Sequence, residues 1–411
     1  MPPRSPGRKA ATRSSAASTP ANHTTTAVVD PAERDRAICL LAQGIQLIYR
    51  NVSSGRGIVV QDHTVPAAMQ TAQSLIGLFR MIEGKQEGPV ANLHNIIALC
   101  KKPFSHPDWG VQAFHAGRFD YADSVLVDAE FDVPTQECQD IAKVHGGFGN
   151  DQIVQHILFE RLRTISAEFG LRKHEVYTAL RELPSRHKMG NEEEISAYLS
   201  EHNLQRLIHT IRDDFYEPVP LTWRIEGKVH QCPHCGALMK PTGKEVPASK
   251  CPIVQCATLN PAQAPRIIDP KESRLLVAKP QILKYWAAPA IDEIRIFDEG
   301  VGLGIKNVVL YPLSDAADIS FGNDEDIGID VKSYASPEML ARHFLTNGIG
   351  GLINYRKRIV AISDHCVDNV KGGYIARLRQ RLREDSTHVA NALDFMSVSD
   401  LVRKLPEMKN A

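Results

Sequence analysis

Two aspartates and a lysine lie close together in the stretch from Ala317 to Tyr334, which reads ADISFGNDEDIGIDVKSY. Turn-forming and acidic residues at 322–326 separate two short apolar segments, a pattern that predicts a β-hairpin. Because side chains alternate along a strand, Asp330 and Lys332 share one face of the second strand, and the hairpin places Asp318 beside them. Two carboxylates and an ammonium at one strand end can hold a divalent metal ion against a phosphate.

A second group of residues with a chemical role is a cysteine cluster. Four of the eight cysteines fall in two close pairs: Cys232 and Cys235, then Cys251 and Cys256. Gly236 permits the tight turn that points backbone amides at thiolates after the first pair. Four thiolates complete a tetrahedral Zn²⁺ site with no open position, so the spacing predicts a structural zinc rather than a catalytic one. His230 and His234 are nearby and are alternative ligands.

The composition is that of an ordinary globular protein, with 411 residues, 43% hydrophobic, 23% charged and a formal net charge of zero. Any nucleic-acid surface must therefore come from local clustering of charge. No apolar run approaches the roughly 20 residues that cross a bilayer, and the first residues lack the apolar centre of a secretory signal. The other four cysteines are scattered, which is typical of a reducing compartment. These features predict a cytoplasmic protein.

The elements that position these residues are predicted to form separate domains. Residues 1–29 are rich in Ser, Thr, Ala and Pro and predict a disordered tail, for which a solubilising role is simpler than nucleic-acid contact. Residues 30–225 predict an all-α domain, residues 226–280 a zinc-ribbon-like insert, and residues 281–411 an α/β domain. The chain is thus predicted to be multi-domain.

Helical periodicity dominates the N-terminal half. Asp30 is a suitable N-cap for a helix that begins at Pro31. Further helices are predicted over residues 66–82, 150–169, 173–183, 192–202 and 204–215. Residues 101–149 contain interleaved aromatics, glycines and prolines without a sustained period, and predict an irregular connection.

A helix-turn-helix is one interpretation of part of this half. The turn at 169–171 separates two predicted helices, and the second would carry Arg172, Lys173, His174 and Arg181. Short amphipathic helices joined by glycine are also common in helical domains that bind no DNA. The simpler interpretation is a helical domain of unknown purpose.

From residue 281 the pattern predicts a helix, three strands, a helix, a strand, a helix and a strand, which together form a compact αβββαβ core. The predicted elements are a helix at 291–297 carrying Glu293, strands at 306–311, 318–321 and 327–334, a helix opened by Ser336 and Pro337, a strand at 358–362, a helix at 371–382 with outward Arg377, Arg379, Arg381 and Arg383, and a strand at 395–398 before a helix capped by Ser399.

This element order, with Asp330 and Lys332 on the third strand, resembles the PD-(D/E)xK nuclease superfamily, the restriction-endonuclease-like fold. In that family the first acid opens the second strand, which matches Asp318, and a glutamate from the preceding helix often joins the site, which matches Glu293. Ala317, and not proline, precedes Asp318, so Asp315 near Pro312 is a rival for the first acid.

The sequence around the signature is more particularly similar to the restriction-endonuclease component found beside prokaryotic Piwi-like proteins in bacterial defence islands. This sequence is Gly-Ile-Asp-Val-Lys-Ser-Tyr-Ala-Ser-Pro. This closer likeness covers roughly Cys232 to the C-terminus. It implies a DNA endonuclease that acts against foreign DNA, with DNA and a Piwi-like protein as partners. Cutting both strands usually needs two active sites, so a homodimer is one possible state.

The chemistry that the resemblance implies follows from the residue types. Asp318, Asp330 and the carbonyl of Val331 would hold Mg²⁺ or Mn²⁺. Lys332 would orient the attacking water and offset charge on the phosphate. Basic residues at 356–358 and the arginines at 377–383 could contact backbone phosphates or form solvated basic faces. Two alternatives stay open: a catalytically inactive DNA-binding protein with the same fold, and a zinc-ribbon adaptor in a defence complex.

Overall fold

The computed structural model describes residues 29–53, 65–86, 88–115, 118–144, 148–243, 247–261, 264–270, 274–322, 326–370 and 373–408. Residues 1–28 of the predicted tail and residues 323–325 of the predicted hairpin turn lie outside the described residues. Among the residues described, no helix is long and apolar enough to cross a membrane.

Helices make up most of the N-terminal half. They are α1 (Pro31–Ser53), α2 (Ala67–Ile82), α3 (Leu93–Cys100), α4 (Gln136–Lys143), α5 (Val154–Ala167), α6 (Lys173–Arg186), α7 (Glu192–Glu201) and α8 (Ile208–Phe215). The carboxylate of Asp30 accepts the N–H of Ala32 at 3.2 Å, so α1 begins as its cap predicts. The apolar stripe of α1, including Ile38 and Ile45, is fully buried and packs against α2 and α4.

The connection at 101–149 is irregular apart from short turns and α4, a helix that the sequence analysis missed because eight residues are too few to show a period. Its aromatics form a compact cluster. The ring centroids of Phe104 and Trp109 are 4.9 Å apart, and Phe119 stacks on Phe114 at 5.5 Å. The scattered aromatics therefore build a local core without regular secondary structure.

The middle region, residues 189–278, contains short strands and one further helix in addition to α7 and α8. These elements are β1 (Met189–Gly190), β2 (Tyr216–Pro218), β3 (Val229–Gln231), β4 (Lys240–Pro241), β5 (Ser249–Lys250), α9 (Val254–Leu259), β6 (Arg266–Ile268) and β7 (Leu276–Ala278). β7 lies between β1 and β2 in an antiparallel sheet, while β3 pairs with β6 and β4 with β5. The N-terminal half is therefore not purely helical, which corrects the all-α prediction.

The C-terminal part combines helices with a five-stranded sheet. Its elements are α10 (Pro280–Ile282), α11 (Pro289–Gly302), β8 (Val309–Leu310), the distorted turn α12 (Pro312–Asp315), β9 (Ile319–Phe321), β10 (Ile327–Lys332), α13 (Pro337–Asn347), β11 (Lys357–Ile362), α14 (Asp364–Asp368), α15 (Tyr374–Asp385), α16 (Thr387–Ala392), β12 (Asp394–Ser397) and α17 (Val398–Met408). The strand order is β12-β11-β10-β9-β8.

Strand direction changes in the middle of this sheet. β8, β9 and β10 pair antiparallel, and β10, β11 and β12 pair parallel. The run from Ile359 to Ile362 in β11 is completely buried, as expected for a central parallel strand. α11 lies against β8, β9 and β10. Gly300 allows this approach, because a Cβ there would be only 3.1 Å from the ring of Phe321.

Two local details differ from the predictions. The first strand is short, because Tyr311 has a left-handed φ of 51° and Pro312 has no N–H to donate. α17 begins one residue after Ser397, whose hydroxyl accepts the N–H of Asp400 at 3.0 Å. Ser397 is thus the cap, and Ser399 instead donates a hydrogen bond to Asp364 at 2.6 Å.

Candidate active site

The β9–β10 hairpin brings three predicted site residues together. Ile319 pairs with Ile329, and the N–H of the preceding residue, Asp318, donates to the carbonyl of Ile329 at 3.0 Å, which brings Asp318 beside the strand of Asp330. The N–H of Val331 donates a hydrogen bond to Oδ2 of Asp318 at 2.6 Å. On the same strand, Nζ of Lys332 donates to Oδ1 of Asp330 at 2.6 Å. Two carboxylates and one ammonium therefore meet at the end of β10.

α11 adds a third carboxylate to this site. Glu293 is 2% exposed, and its Oε2 accepts a hydrogen bond from the hydroxyl of Tyr311 at 2.5 Å. The negative charge of Glu293 contributes to raising the pKa of Asp318, after burial of the Asp318 carboxyl group itself. The predicted Glu293 thus lies beside the hairpin, and Tyr311, which the sequence analysis assigned only to a strand, is its hydrogen-bond partner.

The electrostatics of the site are dominated by buried acids. Burial, followed by the charges of Glu293 and Asp330, raises the pKa of Asp318 well above its ordinary value. Burial also raises the pKa of Glu293 to about 7, against the opposing effects of nearby Arg181 and Tyr311. A cation would relieve the negative charges that raise the pKa of Asp318, and carboxylate oxygens are the hard ligands that Mg²⁺ prefers. Among the described residues these acids do not form a group of three metal ligands as the cysteines do, so the fit to a divalent metal rests on the carboxylates of Asp318 and Asp330.

Lys332 is the cation on β10. Burial lowers the pKa of its ammonium, but the charges of Asp330 and Asp318 outweigh that effect and raise it. The side chain is only 14% exposed. Lys332 is therefore held in its charged form at the centre of the site.

The rival first acid, Asp315, faces a different neighbour. Its Oδ2 accepts a hydrogen bond from the hydroxyl of Tyr177 at 2.7 Å. Its Oδ1 is buried without a partner among the described residues. Asp318, and not Asp315, is hydrogen-bonded to the strand of Asp330.

α6 approaches this site with its buried face, which contradicts the helix-turn-helix interpretation for Arg181. The Arg181 side chain is 3% exposed, and its Nη2 lies 3.8 Å from Oε1 of Glu293. Arg172 forms an ion pair with Glu175 at 2.6 Å. Sequence reasoning missed this role for Arg181. The available signal was its position four residues after Tyr177, on the face that α6 buries.

The four arginines of α15 divide between contacts with the protein and solvent, which corrects the predicted outward position for Arg377 and Arg381. Arg377 pairs with Asp123 at 3.1 Å, and Arg381 pairs with Asp120 at 3.3 Å. Arg379 donates to the carbonyl of Phe395 at 3.1 Å. These partners are distant in sequence, so the face of α15 docks on the protein. Arg379 and Arg383 are exposed, as predicted.

The basic group before β11 is more open. The side chain of Arg356 is 81% exposed, with Asp326 at 3.7 Å, and Lys357 is also exposed. Arg358 instead donates to the carbonyl of Tyr355 at 2.8 Å. Arg356 and Lys357 are therefore the residues of this group that can meet a phosphate.

His343 on α13 does not join the site. Its Nδ1 lies 2.9 Å from Asp140 and 3.1 Å from the hydroxyl of Tyr334. These contacts direct the ring toward α4.

The predicted cysteine cluster is assembled in the middle region. The four Sγ atoms of Cys232, Cys235, Cys251 and Cys256 all lie within 4.8 Å of one another. The Sγ atoms of Cys232 and Cys256 are 3.8 Å apart, and those of Cys235 and Cys251 are 3.5 Å apart. A Zn–S bond of about 2.3 Å implies Sγ separations of about 3.8 Å in a tetrahedron, so the thiols fit this ion.

Neighbours of the cluster support a site made of cysteines alone. Nδ1 of His230 is 2.9 Å from the hydroxyl of Ser249, which gives this ring a partner other than a metal. Burial lowers the pKa of the Lys188 ammonium, which follows α6, and the negative charges of the four cysteine thiolates oppose that shift. A nearby cation suits thiolates, since four of them around Zn²⁺ carry a net negative charge.

The family comparison matches the C-terminal part of the chain. Residues 290–407 match the family model described as REase associating with pPIWI_RE. This segment runs from α11 into α17 and contains Glu293, Asp318, Asp330 and Lys332. The match confirms the predicted resemblance to the restriction endonuclease associated with prokaryotic Piwi-like proteins, over residues 290–407 and not over the longer predicted stretch from Cys232 to the C-terminus. No curated protein and no solved structure matches the chain.

Proposed function

We propose that this protein is a Mg²⁺-dependent DNA endonuclease that hydrolyses phosphodiester bonds in bacterial defence against foreign DNA. The observation that carries the proposal is the convergence of Asp318 with Asp330 and Lys332 on neighbouring strands, within the segment that matches the family. The family description also supports a Piwi-like protein as its partner. The exposed pair Arg356 and Lys357 supports contact with DNA phosphates.

In this proposal each residue of the site has one role. Asp318, Asp330 and the carbonyl of Val331 hold Mg²⁺ or Mn²⁺, and Glu293 adds negative charge beside them. When bound, the ion would activate a water molecule and would stabilise negative charge on the scissile phosphate. Lys332, charged and hydrogen-bonded to Asp330, orients the water and offsets charge that grows on the phosphate.

The remainder of the chain is proposed to place this site on its substrate. Residues 30–225 form the helical domain, residues 226–280 the ribbon and residues 281–411 the nuclease domain. Cys232, Cys235, Cys251 and Cys256 hold a structural Zn²⁺. The ribbon and the helical domain contact DNA or the Piwi-like partner.

Plasmid cleavage tests the proposal. Purified wild-type protein and Asp330→Ala are incubated with supercoiled plasmid in Mg²⁺, in Mn²⁺ and in EDTA. The control is Asp298→Asn, which removes an exposed acid of α11. We expect metal-dependent nicking by the wild type and the control, and none by Asp330→Ala at equal thermal stability.

The alternatives predict other results. An inactive DNA-binding protein would shift the mobility of the plasmid to the same extent in the presence and absence of Mg²⁺. The wild type and Asp330→Ala would then give the same shift. An adaptor would show no DNA affinity at physiological salt. If the protein alone does not nick, the assay is repeated with the neighbouring Piwi-like protein, and failure there as well contradicts the nuclease.

A further inference from the structure

The loop between β8 and β9 has an unusual backbone. Four of its residues have left-handed φ angles although none is glycine: Tyr311 at 51°, Leu313 at 52°, Ser314 at 60° and Asp315 at 79°. A side chain makes this conformation unfavourable, so such residues persist only where their surroundings hold them. The loop leads directly to Asp318, and strain of this kind beside a candidate active site calls for a restraint.

One face of α6 provides contacts to this loop. Nδ1 of His174 lies 2.7 Å from the hydroxyl of Ser314, and the hydroxyl of Tyr177 donates to Asp315 at 2.7 Å. The guanidinium of Arg181 lies over the ring of Tyr311, 5.0 Å from its centroid. Positions 174, 177 and 181 follow the helical repeat, so a single helix face holds the loop at three points.

Arg181 also reaches the acids of the site. It is buried against the rings of Phe159 and Trp286, at 5.3 and 5.6 Å from their centroids, and its charged partner is Glu293 at 3.8 Å. Its Nε and Nη1 have no hydrogen-bond partner in the part of the chain that the structure describes. A buried arginine that is paired so incompletely is a poor source of stability. Its position therefore indicates a role at the site.

We propose that α6 completes the active site from outside the family-matched segment, and that Arg181 is its positioning residue. Arg181 contacts the carboxylate of Glu293 directly and also contacts the ring of Tyr311. Tyr177 holds Asp315 through a hydrogen bond. These contacts fix the geometry of the loop and so position Asp318 against β10. The proposal rests on the proposed nuclease function. It implies that residues 290–407 without α6 contain the acids of the site but not their restraint.

The test uses the full chain with Arg181→Gln and Arg181→Lys. The matched control is Arg186→Gln, which changes an exposed arginine on the same helix that pairs with Glu182. Mn²⁺ binding is measured by calorimetry without DNA, kcat and KM by plasmid nicking, and folding by thermal unfolding. We expect Arg181→Gln to weaken Mn²⁺ binding and lower kcat by about 10- to 100-fold. KM for plasmid should stay unchanged, Arg181→Lys should recover part of the loss, and the control should match the wild type.

The outcomes separate this proposal from the function on which it rests. Folded Arg181→Gln that binds Mn²⁺ and cleaves like the wild type overturns the positioning role and leaves the nuclease intact. A wild type that neither binds Mn²⁺ nor cleaves, alone or with the Piwi-like protein, overturns both. If Arg181→Gln does not fold, Tyr177→Phe removes only the hydroxyl that holds Asp315. Wild-type Mn²⁺ affinity in both Tyr177→Phe and Arg181→Lys would then overturn the proposal.

Discussion

The N–H of Val331 donates a hydrogen bond to Oδ2 of Asp318 at 2.6 Å, which joins the strand of the acid-x-Lys signature to the first acid. Asp330 and Lys332 flank Val331, so this bond fixes the Asp318 carboxylate relative to both, while the backbone N–H of Asp318 donates to the carbonyl of Ile329 at 3.0 Å. A hydrogen bond to a charged carboxylate is stronger than one between neutral groups. The backbone of β10 thus holds Asp318 despite the repulsion of the neighbouring acids.

Exchange of the two rival acids for amides distinguishes their roles. Asp318→Asn should lower metal-dependent nicking by at least about 100-fold, because it removes a negative ligand at the site. Asp315→Asn should lower it by less than about 10-fold, because Asp315 acts through Tyr177. The measurement is the nicking rate together with Mn²⁺ affinity. A larger loss in Asp315→Asn would make Asp315 the first acid.

The Asp318→Asn variant should be more stable than the wild type when no metal is present. Burial and the charges of Glu293 and Asp330 disfavour the ionised form of Asp318 and raise its pKa. An asparagine keeps an oxygen for the N–H of Val331 but carries no charge. We therefore expect a higher unfolding temperature for Asp318→Asn in EDTA, measured by differential scanning fluorimetry, and an equal or lower one would contradict the electrostatic argument.

Removal of zinc should unfold the ribbon and leave the rest of the chain folded. The wild type should contain one zinc per chain by atomic absorption, and Cys251→Ser should contain none. Since structural zinc contributes on the order of 10 kcal/mol to small domains, hydrogen exchange should increase across 229–268. Cys100→Ala, at a buried cysteine of α3, serves as the control and should retain the metal. Zinc-free wild type with protected amides in this region would exclude a structural role.

The hairpin illustrates what local sequence determines. Ile329 and Val331 alternate with Asp330 and Lys332, and this period of two predicts which side chains are buried. Ser336 caps α13 by accepting the N–H of Met339, another interaction over a few residues. In these two cases the pattern depends on neighbours in sequence, and the prediction and the structure agree.

Contacts between distant segments could not be predicted in this way. β7 pairs with β1 and β2 from opposite ends of the middle region, but strands of two or three residues show no period. A charged residue on a helix is ordinarily exposed, so the sequence analysis considered Arg181 only as a residue on the outer face of a possible helix-turn-helix. Its burial depends on Glu293, which follows more than a hundred residues later.

The stability of the protein should depend on pH through Glu137. This side chain is 3% exposed, and its carboxylate accepts the N–H of Ser336 at 2.8 Å. Burial raises its pKa from 4.5 to about 7. The folded protein therefore holds the proton more tightly than the unfolded chain. The contribution of protonated Glu137 to the free energy of unfolding is complete below about pH 4.5 and is lost as the pH rises through about 7.

Glu137→Gln removes this dependence, since glutamine stays neutral. Relative to the wild type, the free energy of unfolding of the variant should rise by about 3 kcal/mol between about pH 4.5 and pH 8. Urea unfolding of both proteins at the two pH values measures the change. Glu168→Gln, at an exposed position, should follow the wild type. The same pH response in Glu137→Gln and the wild type would contradict burial as the cause.

Neutralising exposed arginines and lysines should separate DNA contacts from internal ion pairs. Binding of a short duplex is measured over a range of salt concentrations in an Asp330→Ala background, which prevents cleavage. Arg356→Gln with Lys357→Gln should reduce the slope of log K against log salt by about 1.8, or about 0.9 for each lost phosphate contact.

Arg377→Gln should leave the slope unchanged, because that arginine is paired with Asp123 and Glu338. Its loss should instead lower stability by about 1 kcal/mol or less. A slope that changes with Arg377 and not with Arg356 would place DNA on α15, and the pairs that hold this helix would then have to open when DNA binds.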